Sequence, residues 1–299
     1  MIDFSFPPEV EEIRLKVRAL MDDVVRPEWE AIDQGQRGEV IKAIVKLRRI
    51  AREDWGIWLP HMPPEWGGMG LGPTAMAAVS SEAAKVGIGP FVINAQAPDE
   101  GNQHTIEHWG TPEQKETYLR PLCEGTARSC FAMTEPEVAG SDPTLIKTFA
   151  YRDGDEWVIN GHKWFISGAR GAKLAILIAR TEEDPEIPQA ANSAFLVDLP
   201  SAGWEVVRDV QTMSGSHNHC TLAPVTSLVA AASDAAIIAP RPQRGCGVNA
   251  GPRSQSNRRR SPRDRSTSPT SIRSTAIRPP HPARRLSART SDAASPLAR

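Results

Sequence analysis

The sequence predicts an α+β protein: an N-terminal α-helical domain followed by a small antiparallel β-barrel domain and then a disordered tail. Two observations predict this class. Apolar residues recur at helical spacing up to about residue 128 and at strand spacing after it. Aromatic residues stop at Trp204 although 95 residues follow, so the last part cannot hold a core like that of the rest. We therefore place the helical domain at 1–127, the β-domain at 128–224 and an atypical Arg-, Ser- and Pro-rich tail at 225–299.

The helical domain carries several helix signals. Thr111-Pro112-Glu113-Gln114 is a helix start in which Thr111 caps the first turn, proline fits the first helical position, and Gln114 bonds back to the cap. The other predicted helices show apolar residues at helical spacing or a run of alanines. One of these helices begins at Pro7-Pro8, a second runs near 39–53, and a third covers 73–86 and is closed by Gly87.

Strand signals dominate the β-domain. Asp153-Gly154 and Asn160-Gly161 are dipeptides typical of tight hairpin turns. Segments rich in Ile, Val, Leu and Phe flank these turns and follow them. Six strands with short turns predict a small antiparallel barrel or sandwich. The strands are predicted at 145–152, 156–159, 162–167, 174–179, 193–199 and 204–210.

The tail also differs from the rest in charge. Residues 241–299 carry 14 Arg, no Lys and two acids, a net charge of +12, whereas the first 240 residues carry −13. Beyond Pro240 the chain is mostly Arg, Ser, Pro, Ala, Gly and Thr. Such a composition cannot bury enough apolar area to offset a backbone entropy cost of roughly 1–2 kcal/mol per residue, so we predict disorder. The Ala-, Val- and Ile-rich stretch at 225–239 is predicted to form a short helix.

Composition narrows the function classes. No apolar run approaches the roughly 20 residues that span a bilayer, and the N-terminus lacks the features of a secretory signal. The cysteines show no metal-binding or redox spacing, which indicates a reduced cytoplasmic protein without disulfides. We expect Cys123 and Cys130 to be buried thiols. His217, His219 and Cys220 are too few for a metal site, so we expect no metal and a loop there.

The segment with the most chemistry joins the two domains and reads Phe-Ala-Met-Thr-Glu-Pro-Glu-Val-Ala-Gly-Ser-Asp at 131–142. Pro136 holds Glu135 extended, and Thr134 offers a hydroxyl donor. The small residues at 139–141 form a turn whose backbone N–H groups can face a phosphate. These features suit a flat, phosphate-bearing ligand, and they also suit an ordinary polar linker between domains.

This segment resembles the signature of the acyl-CoA dehydrogenase family, a Thr-Glu-Pro followed by a Gly-Ser-Asp. Three further stretches resemble family motifs in the family's order: a Pro-x-x-Trp-Gly-Gly-x-Gly loop, a Gly-Thr-x-x-Gln-Lys helix start and a second flavin-contacting strand. They lie at 63–70, 108–115 and 159–168. The resemblance covers roughly 3–220, and on these motifs the chain is identified as a member of the family.

The resemblance implies a helical domain, a central β-domain and a C-terminal four-helix domain, with FAD between the last two. It also implies the α,β-dehydrogenation of an acyl-CoA thioester. A glutamate base takes the Cα proton while a hydride leaves Cβ for the flavin, and hydrogen bonds polarise the thioester carbonyl. The implied partners are the acyl-CoA substrate and an electron-accepting flavoprotein. Family members form homo-oligomers, which for this chain stays an open question.

Carried over by position, the resemblance places eight residues at FAD. Ser141 is also expected near the CoA phosphates, where it would bind substrate. Strand packing is an equal alternative for Phe165, which stands where tryptophan is common, and for Ile166. The signature is one residue longer than its commonest form, at 137–139, which we interpret as the mark of a subfamily. The eight residues are Phe131, Met133, Thr134, Gly140, Ser141, Phe165, Ile166 and Ser167.

The catalytic base has no assignment in this chain. The family's glutamate lies in the C-terminal helical domain, and no glutamate follows Cys220. Translation of the tail in a shifted reading frame is the favoured explanation, because GC-rich DNA read out of frame yields Arg, Ala, Pro, Gly and Ser. A truncated, catalytically inactive remnant that keeps part of the ligand site is a second explanation. A nucleic-acid-binding protein that uses its Arg-rich tail is a third.

Overall fold

The helical part of the chain runs from Pro8 to Glu124. The computed structural model describes residues 5–154, 156–182, 191–213, 219–222 and 225–230, the last six by their backbone. The helices are α1 (Pro8–Ala19), α2 (Arg26–Glu30), α3 (Arg37–Arg49), α4 (Pro73–Ala83), α5 (Gly89–Val92), α6 (Asp99–Trp109), α7 (Pro112–Gln114) and α8 (Arg120–Glu124). Turns of π-helix at Leu20–Val25, Ile50–Asp54 and Lys115–Leu119 continue α1, α3 and α7.

Local sequence signals account for most helix starts. Proline stands in the first turn of α1, α4 and α7, where its missing N–H leaves no bond unmade. The predicted capping box is confirmed: the Gln114 N–H donates to Thr111 Oγ1 at 3.2 Å, and the Thr111 N–H donates to Gln114 Oε1 at 2.9 Å. The helix predicted near 39–53 is confirmed as α3 with its π-helical turn.

The glycine stop predicted for α4 is wrong. This helix ends at Ala83, before Gly87 is reached. The backbone N–H groups of Lys85 and Val86 turn back to the carbonyls of Glu82 and Ala83 at 3.2 and 3.3 Å. The Val86 side chain then enters the core with 3% of its surface exposed, so burial of an apolar residue ends the helix.

The strands that follow confirm the α+β class. They are β1 (Ser129–Ala132), β2 (Phe149–Asp153), β3 (Glu156–Gly161), β4 (Ile166–Ser167), β5 (Leu174–Arg180), β6 (Asn192–Asp198), β7 (Val206–Asp209), β8 (His219–Leu222) and β9 (Val225–Ala230). Among the described residues they form two sheets. The larger has the order β1-β5-β2-β3-β9 with β6 also on β5, and the smaller has the order β4-β8-β7. Most pairs are antiparallel, but β1 and β2 run parallel to β5.

One of the two predicted hairpin turns is present. Asp153 pairs with Glu156 across a turn in which Gly154 has a φ of 59°, so the first prediction is confirmed. The turn predicted at Asn160-Gly161 is wrong, because β3 continues through both residues. A Cβ atom at Gly161 would lie 2.1 Å from Thr148 Oγ1, so this glycine permits a close approach of two chain segments.

Several strand limits differ from the prediction. The strand predicted at 145–152 begins only at Phe149, because Pro143–Leu145 form a 3₁₀ turn. The strand predicted at 162–167 is reduced to Ile166–Ser167. Strands β1 and β8 were missed because they are four residues long and mostly lack the β-branched residues that mark strands in a sequence.

The predictions for the tail fall almost entirely outside the described residues. The helix predicted at 225–239 is wrong over Val225–Ala230, whose backbone pairs antiparallel with β3 as strand β9. The disorder predicted for the rest of the tail lies outside the described residues. The limits of the three predicted domains stay a prediction. Within the described part of the chain, no helix is both long and apolar enough to cross a bilayer.

Strand β5 is buried on both faces. One face lies in the core between the sheets, and the other packs against the helical part of the chain. Ala175 and Leu177 point into a core enclosed by the two sheets, together with Phe195. Leu174 and Ile176, on the other face, pack against residues of the helical part of the chain that include Trp58, Met62, Ile106 and Leu122. The continuous apolar run Leu-Ala-Ile-Leu-Ile-Ala of this strand follows from its double burial.

Candidate functional site

A buried ion pair fixes the signature segment to the β-domain. Lys163 has no exposed side-chain surface, Glu135 has 1%, and Lys163 Nζ lies 3.0 Å from Glu135 Oε1. The same ammonium donates to the carbonyl of Met133 at 2.8 Å. Glu135 also accepts the backbone N–H groups of Lys147 and Thr148 at 2.7 and 2.8 Å. One carboxylate and one ammonium therefore set the path of the chain on both sides of the signature.

The electrostatics of this pair favour the ionised carboxylate. Burial alone raises the pKa of Glu135, but the hydrogen bonds from Thr148 and Lys147 and the charge of Lys163 outweigh it and hold the pKa below its usual value. Burial lowers the pKa of Lys163, and Glu135 opposes that shift. Glu135 is consequently a structural anion with its lone pairs engaged, and it cannot serve as a general base.

The first group of predicted cofactor residues lies at the end of β1 and directly after it, near the surface. Phe131 is 37% exposed, and Met133 and Thr134 are half-buried. The Trp164 N–H donates to the carbonyl of Thr134 at 3.0 Å, and Lys163 holds the carbonyl of Met133. These two bonds bring the segment at 165–167 beside the first group, although some 30 residues separate them in the chain.

The predicted phosphate-facing turn also lies against Thr134. A Cβ atom at Gly140 would be 2.9 Å from Thr134 Cγ2, so glycine is needed for this approach. The turn closes through the Asp142 N–H, which donates to the Ala139 carbonyl at 3.1 Å. Gly140 and Ser141 are exposed, and among the described residues their N–H groups donate to no protein acceptor. All three groups of predicted cofactor residues are thus neighbours in the structure.

Phe165 has an unusual backbone for an aromatic residue. Its φ of 53° lies in the left-handed region, which non-glycine residues rarely adopt. Its side chain is 42% exposed, and its ring meets the Trp164 ring edge-on with centroids 4.8 Å apart. Such strain persists where the surrounding structure enforces it, and it is common at ligand sites. Ile166 differs, because its side chain is 1% exposed within the core between the sheets.

Ser167 has a partner that the sequence reasoning missed. Strand β4 pairs with β8 so that Ser167 lies opposite His219, and Ser167 Oγ is 2.7 Å from His219 Nδ1. The loop expected at 217–220 is wrong for His219 and Cys220, which belong to β8, and Cys220 packs in the core. His217 lies outside the described residues. The missed signal was a histidine next to an apolar residue after the last predicted strand.

The described cysteines have no ligand chemistry. Cys123, Cys130 and Cys220 are buried and form no disulfide with one another, which confirms the expectation of buried thiols for the first two. Burial raises the pKa of Cys123 to about 12 and raises the pKa of Cys130 as well, so both stay protonated. Within the described residues, no group of three or more His, Cys, Asp or Glu side chains is arranged to hold a metal ion.

The helical domain, the two-sheet domain and the signature segment between them define the class of protein. The family model of the acyl-CoA dehydrogenase N-terminal domain matches residues 7–126, and the model of the middle domain matches residues 130–225. The chain belongs to the acyl-CoA dehydrogenase family, which is a family of oxidoreductases and flavoproteins.

Individual relatives agree with this membership. Human acyl-CoA dehydrogenase family member 11 is 33% identical over 220 residues, which cover 70% of this chain and 27% of that protein. A structure assigned as an acyl-CoA dehydrogenase from Mycobacterium abscessus is 31% identical with a TM-score of 0.71, over 79% of this chain and 61% of that one. A glutaryl-CoA dehydrogenase from Mycobacterium smegmatis, solved in complex with FADH2, shares the fold with a TM-score of 0.58 at 21% identity, over 78% of this chain and 56% of that one. The chain spans about a quarter of the first relative and less than two thirds of both structures.

Proposed function

We propose that this chain carries the FAD-binding part of an acyl-CoA dehydrogenase and takes part in the α,β-dehydrogenation of an acyl-CoA thioester. One observation carries the proposal: three separate segments meet around the Lys163–Glu135 pair, with Phe165 held exposed in a strained backbone. An ordinary linker, the alternative left open by the sequence, does not call for a strained, exposed aromatic residue. Family membership supplies the identity of the cofactor.

The residues present fit a flavin. Exposed aromatic side chains at Phe131 and Phe165 supply flat apolar surface, and the half-buried Thr134 supplies a hydroxyl. The Gly140-Ser141 turn offers backbone donors that suit a phosphate. Bound FAD would supply the hydride acceptor for the substrate Cβ, and the protein would supply placement and electrostatics.

We assign the following roles to the eight predicted residues. Phe131, Met133 and Thr134 flank the flavin ring from the signature side. Phe165 and Ser167 form the second wall and exclude water, and Ile166 contributes through its backbone because its side chain is in the core. Gly140 and Ser141 hold the polar chain of the cofactor, and Ser141 also contacts the CoA phosphates of the substrate. The catalytic base has no assignment among the residues of this chain.

Cofactor binding is tested by mixing the full chain with FAD and recording flavin absorbance and fluorescence after removal of free cofactor. We expect bound flavin, and we expect Phe165→Ala to weaken binding by about tenfold, because one stacked wall is lost. Tyr151→Ala is the matched control, because Tyr151 is another exposed aromatic residue of the β-domain, 47% exposed on β2. Absence of flavin from a folded wild-type chain would contradict the site.

A catalytically inactive remnant is the second candidate. The match to the middle-domain model ends at residue 225, and beyond it the sequence contains no Glu, Lys or aromatic residue. This candidate predicts flavin binding without bleaching on addition of an acyl-CoA, whereas the active enzyme bleaches. Reading the coding DNA in the other two frames separates the origins: a helical domain with an acidic residue in another frame supports a frameshift.

The remaining partners follow from the family. An active chain requires an electron-accepting flavoprotein, and a homo-oligomer and a cytoplasmic location stay predictions. The Arg-rich tail supports a third candidate, nucleic-acid binding. Its sign would be an affinity that falls steeply with salt and disappears when 241–299 are deleted.

A further inference from the structure

An arginine-lined cavity lies in the helical domain and has no part in the proposed flavin site. Its volume is about 240 Å³. It is formed where α3 and its π-helical turn meet the segment after α8. The lining residues are Val45, Arg48, Arg49, Arg52, Glu53, Trp58, Glu124 and Gly125.

Arg48 is a half-buried cation that forms no ion pair with a described carboxylate. Its Nε donates to the carbonyl of Phe91 at 2.9 Å, and its Nη1 donates to the carbonyl of Gly125 at 3.1 Å. Its Nη2 atom is buried and has no hydrogen-bond partner among the described residues. Burial, with a smaller contribution from the charge of Arg128, lowers the pKa of Arg48 to about 10, and the charge of Asp99 opposes this shift. A half-buried guanidinium without an ion-pair partner is stabilised by an anion that enters the cavity.

Trp58 and Gly125 hold the cavity open in one shape. The guanidinium carbons of Arg48 and Arg52 lie 5.7 and 5.5 Å from the centroid of the Trp58 ring, whose Nε1 donates to the carbonyl of Cys123 at 3.0 Å. Gly125 has a φ of 74°, and a Cβ atom there would lie 3.0 Å from the Trp58 ring and 3.1 Å from Arg48 Nη1. A larger residue at position 125 would therefore press on the ring and on the cation.

The acids at the cavity offset only part of its charge, because three arginines face two glutamates and leave a net charge of +1. Glu53 forms an ion pair with Arg49, whose Nη1 lies 3.2 Å from Glu53 Oε2. Glu124 is exposed, and among the described residues it has no cation within 4 Å. Arg52 forms no ion pair with a described carboxylate, and it is held beside the ring only by the cation–π contact. The exposed guanidinium of Arg52 is thus available to a ligand, and Arg48 adds a second positive charge to the lining that no described carboxylate pairs with.

We propose that this cavity binds the phosphate group of a small phosphorylated ligand. A phosphate has three oxygens that accept hydrogen bonds and up to two charges, which match several arginine forks better than the single charge of a carboxylate does. The volume suits a phosphate with a small substituent and is below the size of a typical drug-like ligand site of about 300–1,000 Å³. The site is independent of the flavin segment and needs no part of the proposed catalytic reaction.

The test is isothermal titration calorimetry, in which the full chain is titrated with inorganic phosphate at fixed ionic strength. Acetate is the contrasting anion. Arg52→Gln removes one of the two cavity arginines that form no ion pair with a described carboxylate. Because Arg52 is exposed, the substitution leaves the core intact. We expect it to weaken phosphate binding by about tenfold, as the loss of a charge-assisted hydrogen bond does. Arg26→Gln is the matched control, because Arg26 is also a helix arginine, and its one ion pair among the described residues is with Asp22.

The tail arginines are present in every variant, so the difference between Arg52→Gln and Arg26→Gln isolates the cavity. Equal phosphate affinity in these two variants would overturn the proposal, as would acetate binding as tightly as phosphate or no heat of binding at all. Measuring FAD uptake by Arg52→Gln in parallel separates this site from the proposed function. Unchanged FAD uptake with weakened phosphate binding supports the cavity as a separate site, and parallel loss of both contradicts it.

Discussion

Removing the ammonium of Lys163 tests the central contact of the site. In Lys163→Met, the Glu135 carboxylate stays buried with only its two backbone donors, and the Met133 carbonyl loses its partner. Breaking a buried ion pair by deleting one partner costs about 3–5 kcal/mol. Because the backbone N–H groups of Lys147 and Thr148 still stabilise the carboxylate, we expect a loss near the lower limit, about 3 kcal/mol.

The assay is urea unfolding of the full chain, followed by circular dichroism and tryptophan fluorescence. Lys147→Met is the matched control: Lys147 is exposed and binds Glu135 only through its backbone N–H, so its side chain is dispensable. We expect that control to stay within about 0.5 kcal/mol of wild type. Combining Lys163→Met with Glu135→Gln should recover part of the loss, because no unpaired charge is then buried.

The two outcomes that would refute this reasoning are specific. If Lys163→Met lowers the free energy of unfolding by less than about 1 kcal/mol, the ion pair is not buried in an apolar environment. A double variant that loses the full sum of the single losses would mean that Lys163 and Glu135 do not act on each other. FAD binding should also fall in Lys163→Met and not in Lys147→Met, since only the former releases the Met133 carbonyl.

Three further predictions concern other contacts. Burial lowers the pKa of His61 to about 4, below its unfolded value near 6.5. Because the unfolded state then binds more protons, about 3 kcal/mol of stability should be lost as pH falls from 6.5 to 4. His61→Gln should flatten that part of the pH profile of unfolding. Gly161→Ala should destabilise by about 1–3 kcal/mol, since its Cβ would meet Thr148, and Thr148→Gly, which removes the Thr148 Cβ at 2.5 Å as well as Oγ1 and Cγ2, should relieve more of this clash than Thr148→Ala. Ser167→Ala and His219→Gln should each weaken FAD binding several-fold, and the double variant no more than the worse single one.

Each of these has a contrary result. Equal pH profiles of unfolding for wild type and His61→Gln would show that the buried imidazole is not the group that titrates. A Gly161→Ala variant as stable as wild type would mean that β3 and the segment before β2 are further apart than described. Additive losses in FAD affinity for the serine and histidine variants would show that their hydrogen bond does not join them into one unit.

The order of helices and strands could be predicted because it depends on local sequence. Apolar periodicity located α1 and α3, and the capping box at Thr111 and Gln114 was confirmed atom by atom. The motif at 131–142 located the candidate site because its small residues and its extended Glu-Pro are local features as well. Interactions within a few residues are visible in a sequence, since the partners lie at fixed spacing.

Pairings between distant residues could not be predicted in the same way. Asn160-Gly161 has the local chemistry of a turn, yet β2 and β9 pair with β3 on both sides and extend it through these residues. The 225–230 segment reads as helical and is a strand for the same reason: a neighbouring strand offers backbone hydrogen bonds that local propensity does not include. In both places tertiary pairing outweighs a preference of about 1 kcal/mol or less per residue.

The sequence by itself determined the α+β class, the family and the stretch that holds the candidate site, because each rests on residues near one another in the chain. Only the tertiary structure decided that Lys163 is the buried partner of Glu135, that His219 meets Ser167 and that Arg48 Nη2 is buried without a hydrogen-bond partner among the described residues. The physical reason is that the energy of a charge depends on its burial and on partners brought from far along the chain. Neither quantity is set until the chain has folded.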